Sequence, residues 1–247
     1  LTSLVGLRGR QLARRILQRK YFYRYDAAHL VIDAIEWINA RQDGEDLFCW
    51  LHLMDVHQNI TVPWSELGRF SDVQQFLLDT CSEIPGAGSR IRGLPERYGQ
   101  LYDTAVNYVD LNVGILTRFF KDTGLLPETL LCLTADHGQE LWDNGVFGHA
   151  ASRMNEALLH VPLFFSGGLS DGLRSSLTHR PVSTLDIGPT LLEVGAETES
   201  PASFLGSSLD QSAERPVYGQ SFYGGAENLS DEGRRRFLLN SFPEPVK

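Results

Sequence analysis

The chain has 247 residues, of which 42% are hydrophobic and 21% charged, with a formal net charge of −9. A chain of this size and make-up can bury a sizeable core, and its acidity argues against nucleic acid as a partner. No apolar run reaches bilayer length, so no transmembrane segment is expected.

Residues 1–25 form a basic, partly amphipathic segment, with Arg8, Arg10, Arg14, Arg15, Arg19 and Lys20 around Leu12, Ile16 and Leu17. It reads as a solvated helix packed by its leucine side. Asp26 suits a helix cap, and Leu30, Val31, Ala34, Ile35 and Ile38 recur at helical spacing. Gly44 is the expected stop. Leu47–Leu53 then reads as a continuous apolar strand. Prolines and glycines from residue 60 to 97 predict a long irregular connection.

The longest helical pattern runs from Tyr98 to Lys121, closed by Gly124. A buried strand, Leu130–Leu133, follows. It delivers Asp136 and His137 at its carboxyl end, where Gly138 is expected to free the backbone to turn. Val161–Phe165 reads as another strand and Leu185–Val194 as a short helix. The tail from 197 to 247 is polar and expected to pack peripherally. Helix and strand alternate, which makes a mostly parallel sheet with helices on both faces the economical α/β architecture.

Open α/β sheets bind ligands outside the carboxyl ends of their strands. Asp136 and His137 stand at such a place, as does His57 after Leu47–Leu53, and His149 follows a turn marked by Asp143, Asn144 and Gly145. Three imidazoles and a carboxylate are thus expected on one rim, where they suit metal ligation, proton transfer and anion contact. His29, His52, His160 and His179 lie away from these ends and read as structural. Cys49, Cys81 and Cys132 lack metal-type spacing; Cys49 and Cys132 sit in apolar strand-like runs and read as buried free thiols, which slightly favours a cytoplasmic setting.

Taken together, four stretches resemble the sulfatase family of the alkaline-phosphatase-like superfamily. They are FCWLHLMDVH, LYDTAVNYVDLNVGILTRFFKDTGLLPETLLCLTADHG, GVFGHAASRMNEALLHVPLFFSGG and THRPVSTLDIGPTLLEVGA, covering about residues 26–196 in family order. The resemblance implies a partial alkaline-phosphatase-like catalytic domain that hydrolyses sulfuric esters of a small molecule or glycan. It implies Asp136 and His137 as metal ligands, and His57 as a histidine near the sulfate and leaving-group oxygen. His149 falls where many members carry a sulfate-contacting lysine. Asp55, Asp103, Asp110 and Glu156 match recurring carboxylates on helix faces or at caps. The implied cofactor is one divalent ion, calcium by resemblance, although an imidazole ligand also suits zinc or manganese.

Two family features are missing from these residues: the paired aspartates of the opening strand, and the Cys- or Ser-x-Pro-x-Arg motif that supplies the nucleophile. Cys81-Ser82-Glu83-Ile84-Pro85 has its proline at the wrong offset. The chain is therefore expected to be the carboxyl-terminal part of a sulfatase, with an amino-terminal half as a partner. A phosphatase, phosphodiesterase or phosphonate hydrolase of the same superfamily is the alternative, and an inactive binding module is another.

Overall fold

The computed structural model describes residues 26–42, 44–57, 60, 63, 72–82, 84, 86–149, 153–176, 181–196, 203–210 and 216–219. The basic segment 1–25, His179 and most of the tail fall outside them. The chain divides into two compact units. One comprises the residues up to Leu126 with Asn144–Phe147, and the other Pro127–Asp143 with the residues from Gly148 onward.

The first unit is helical. Helix α1 spans Ala27–Asn39, and Asp26 caps it by accepting from the His29 amide. Its buried face is Ala27, Val31, Ala34 and Ile38, a stripe at three- and four-residue intervals. Helix α2 spans Asp72–Ser82 and a single turn, α3, spans Ala87–Arg90. These lie inside the stretch expected to be irregular; prolines and glycines there punctuate helices rather than exclude them.

Helix α4 runs from Leu94 to Asp122, with Pro95 in its first turn, where a missing amide hydrogen costs nothing. The Thr123 amide donates to the Phe119 carbonyl, and Gly124 then takes a left-handed φ of 76°. Both α1 and α2 pack on α4. The centre of that packing is Tyr98, Leu101 and Ala105, at most 1% exposed. The Tyr98 hydroxyl donates to buried Asp79 at 3.2 Å, and its ring meets Phe147 edge-on at 4.8 Å.

Leu47–Leu53 is not a strand. Residues 45–54 take no regular structure, and Phe48 and Trp50 are 73% and 76% exposed. The β-like composition is present, but a strand exists only when a neighbour completes its hydrogen bonds, and none does so among the described residues.

The second unit holds β1 (Leu130–Thr134), β2 (Glu140–Leu141), β3 (Phe147–Gly148, whose Phe147 belongs to the first unit), α5 (Glu156–Leu159), β4 (Leu163–Gly167), α6 (Asp171–Ser176) and α7 (Ile187–Thr190). β1 pairs with β4 from Leu130 opposite Gly167 to Thr134 opposite Leu163. That pair is antiparallel, against the parallel expectation. Residues 135–162 between them are long enough for a crossover, but they form the β2–β3 hairpin and the single turn of α5 rather than one crossover helix.

The expected helix 185–194 is a composite of a 3-10 turn at Thr184–Asp186, α7, and a π turn at Leu191–Gly195. Buried Asp186 organises it, accepting from the Ser183 and Ser207 amides at 3.1 and 3.0 Å. Thr190 adds a second tie, accepting from the Leu209 amide at 2.9 Å.

Two outcomes follow from this packing. Leu101→Ala, at a fully buried site, should lower stability by about 2–5 kcal/mol in urea titration. Burial pushes the Cys132 thiol up to about 11. Roughly one Cys132 in a thousand is then thiolate at pH 8, so alkylation followed by mass spectrometry should find it modified more slowly than Cys81.

Candidate active site

β1 ends at Thr134, whose hydroxyl donates to the Pro162 carbonyl at 2.9 Å and fixes the point where the chain leaves the ladder. Asp136 comes next and turns back on itself, its Oδ1 accepting the His137 amide at 3.0 Å. Asp136 is 83% exposed; its Oδ2 lies 3.8 Å from His137 Nε2. His137 Nδ1 lies 2.8 Å from the Gly138 carbonyl, an acceptor, so that nitrogen carries a proton, and in the neutral ring Nε2 holds the lone pair. The carboxylate and the lone-pair nitrogen are therefore neighbours.

Gly138 serves this turn differently from expectation. Its φ is not left-handed. Instead its amide donates to the Leu158 carbonyl at 2.8 Å, and a Cβ there would overlap the Ala157 carbonyl oxygen. Glycine is needed because α5 comes too close for any side chain.

His149 lies beyond the open end of the β2–β3 hairpin. Its ring stacks on His137, with centroids 4.6 Å apart and planes 26° from parallel. Its Nδ1 lies 2.9 Å from Gln139 Oε1. Next to Gln139 is Glu140, a carboxylate with no exposed surface. Arg153 grips it with two nitrogens, Nε at 2.6 Å and Nη2 at 2.9 Å, and Asn155 donates to it at 2.8 Å. Removing one partner of such a buried pair leaves a charge stranded out of water.

Three of the four residues expected on one rim, Asp136, His137 and His149, thus stand together in the second unit. His57 belongs to the first, in the turn Asp55–His57, where its amide donates to the Met54 carbonyl at 3.0 Å. Asp55 is 6% exposed and accepts the Ala27 amide at 3.1 Å, tying this turn to the start of α1. Its Oδ2 is buried without a partner. Desolvation raises the Asp55 pKa above its ordinary value, Asp26 adds to the rise, and hydrogen bonds from the Ala27 and Asp55 amides oppose it. The other carboxylates matched by resemblance are less engaged: Glu156 pairs with His160 at 3.1 Å on the surface.

Among the described residues, no group of three or more His, Cys, Asp or Glu side chains is placed to hold a metal ion. Calcium takes six to eight oxygens, so Asp136 and His137 by themselves do not fit it. Sequence reasoning also missed Gln139, Glu140, Arg153 and Asn155. The Asn-Gly turn at 144–145 was the available signal, because a hairpin there brings residues on either side of it together.

A family model described as Sulfatase matches residues 7–195. The chain belongs to the sulfatase family. It is 28% identical over 183 residues to a sulfatase of Formosa agariphila, covering 65% of this chain and 35% of that protein. Arylsulfatase K of Xenopus laevis is 30% identical over 65% of this chain and 28% of its own length. Human iduronate 2-sulfatase is 31% identical over 42% of this chain and 18% of its own. A solved structure in complex with its substrate D-glucosamine-2-N,6-O-disulfate aligns with 60% of this chain and 31% of that one, at 24% identity and a TM-score of 0.40. The chain thus spans about a third or less of the length of these sulfatases.

Three measurements check this geometry. Arg153→Met should cost about 3–5 kcal/mol in chemical denaturation, because it strands the Glu140 charge. Gly138→Ala should cost about 1–3 kcal/mol by forcing the turn off α5. An acid whose pKa is raised on folding binds its proton more tightly in the folded state. Stability from Asp55 should therefore fall as pH rises from near 3.8 through its folded pKa. Asp55→Asn should flatten that slope in denaturation curves taken across the acid range.

Proposed function

We propose that the chain carries the leaving-group side of a sulfuric ester hydrolase site, taking a sulfated small molecule or glycan. The observation that carries this is the stack of His149 on His137, beside Asp136, within a segment matched by the sulfatase family model. The sulfatase names of the relatives support a sulfate ester as the substrate class.

In this reading His149 acts on the ester; His57, which belongs to the first unit, carries a catalytic role by family resemblance alone. A protonated imidazole hydrogen-bonds a non-bridging sulfate oxygen, or gives its proton to the departing alkoxide so that it leaves as an alcohol. Proton transfer of this kind contributes about 10²–10⁴-fold. Asp136 and His137 offer two ligands toward a divalent ion, with the remaining ligands to come from residues other than those described. The nucleophile is likewise not among these 247 residues, which contain no Cys- or Ser-x-Pro-x-Arg.

Incubating the chain with 4-nitrophenyl sulfate and calcium should therefore give no turnover. A longer chain that includes a Cys- or Ser-x-Pro-x-Arg segment should turn it over, and His149→Ala should slow that reaction by about 10²–10⁴-fold. Hydrolysis by the 247-residue chain, abolished by Asp136→Ala, would overturn the division of labour. Preference of the longer chain for 4-nitrophenyl phosphate would move the assignment to phosphoryl transfer.

A further inference from the structure

Gln139 is held in an arrangement that its own hydrogen bonding does not favour. Its Oε1 lies 2.9 Å from His149 Nδ1, yet its Nε2 is buried with no hydrogen-bond partner. A buried amide hydrogen-bond donor left unmatched costs about 1–3 kcal/mol, and such a group in a folded protein calls for an explanation. The neighbouring residue explains how the arrangement persists. Glu140 is anchored by Arg153 and Asn155, so the backbone at 139 has little freedom to carry the amide elsewhere.

We infer that Gln139 is a positioning residue: its carbonyl oxygen holds the His149 ring and keeps a proton on Nδ1, so that Nε2 is the nitrogen that exchanges a proton or faces the sulfate ester. The chemistry is one-sided. An amide oxygen only accepts, so the Nδ1 facing it must donate, in the neutral ring and in the cation alike. The remaining proton site is Nε2. His137 Nδ1 is committed to the Gly138 carbonyl in the same way, so both stacked rings hold a proton on Nδ1. The role rests on the proposed function of His149, but the tautomer does not.

Long-range ¹H–¹⁵N correlation spectra of the ¹⁵N-labelled chain at neutral pH read the tautomer directly. The His149 signals are assigned by their loss in His149→Ala. Wild-type His149 should show a single Nδ1–H form. Gln139→Glu, which keeps an accepting oxygen, should preserve it. Gln139→Leu, which removes the acceptor, should shift His149 towards the Nε2–H form while leaving the dispersion of the backbone spectrum unchanged. A wild-type His149 in the Nε2–H form overturns the inference, whether or not any variant folds. A folded Gln139→Leu whose His149 keeps the Nδ1–H form overturns it as well. The spectra involve no substrate, so absence of sulfatase turnover leaves the result standing, and failure of the tautomer leaves the hydrolase assignment to its own assay.

Discussion

The His149 side of the site hangs from the fully buried carboxylate of Glu140 and the side chains that surround it. A charge cannot sit out of water unpartnered, so Arg153 and Asn155 must stay where they are for the second unit to fold as it does. The constraint reaches past the ion pair. It fixes the first residue of β2, and through it the adjacent Gln139 and the ring of His149. A hydrophobic residue at 140 would pack without directing anything. Burying an ion pair adds little net stability, whereas removing one partner of it is strongly destabilising.

The turn at Asp136–Gly138 is held from the other side. β1 and β4 form the ladder, Thr134 ties its end to Pro162, and Gly138 lies against α5. The two anchoring systems differ in kind, one a charge cluster and the other a backbone contact, and they meet at α5, whose N-cap is Asn155. Between them they bring His137 and His149 face to face. The sequence separation of twelve residues is spanned by a hairpin too short to do this through strand pairing alone.

Local signals were readable wherever structure is locally determined. Asp26 announced α1, and the spacing through Leu101, Ala105 and Tyr108 announced α4, whose long apolar stripe leaves few alternatives. Leu130–Leu133 was readable as a strand because apolar, β-prone residues stand between turn signals. Pairing was not readable. It depends on residues far apart in the chain, which is why Leu47–Leu53 has strand composition without a ladder and why the β1–β4 direction came out reversed. Asp136, His137, His149 and His57 drew attention by residue type. Gln139 and Glu140 did not, since an amide and a carboxylate after Asp-His-Gly look like surface residues. Only their burial and their partners mark them.

Position 142 shows how narrow the sequence alphabet becomes inside such a scaffold. Trp142 takes a φ of 70°, the sole residue other than glycine to do so among those described. Left-handed backbone costs an L-residue about 1–2 kcal/mol, least for glycine, asparagine or aspartate. A tryptophan there means that the surrounding fold offsets what the backbone loses. Related chains should vary at this position only between bulky aromatics that repeat that compromise and small or Asx residues that avoid it. Valine, isoleucine and threonine should be missing altogether.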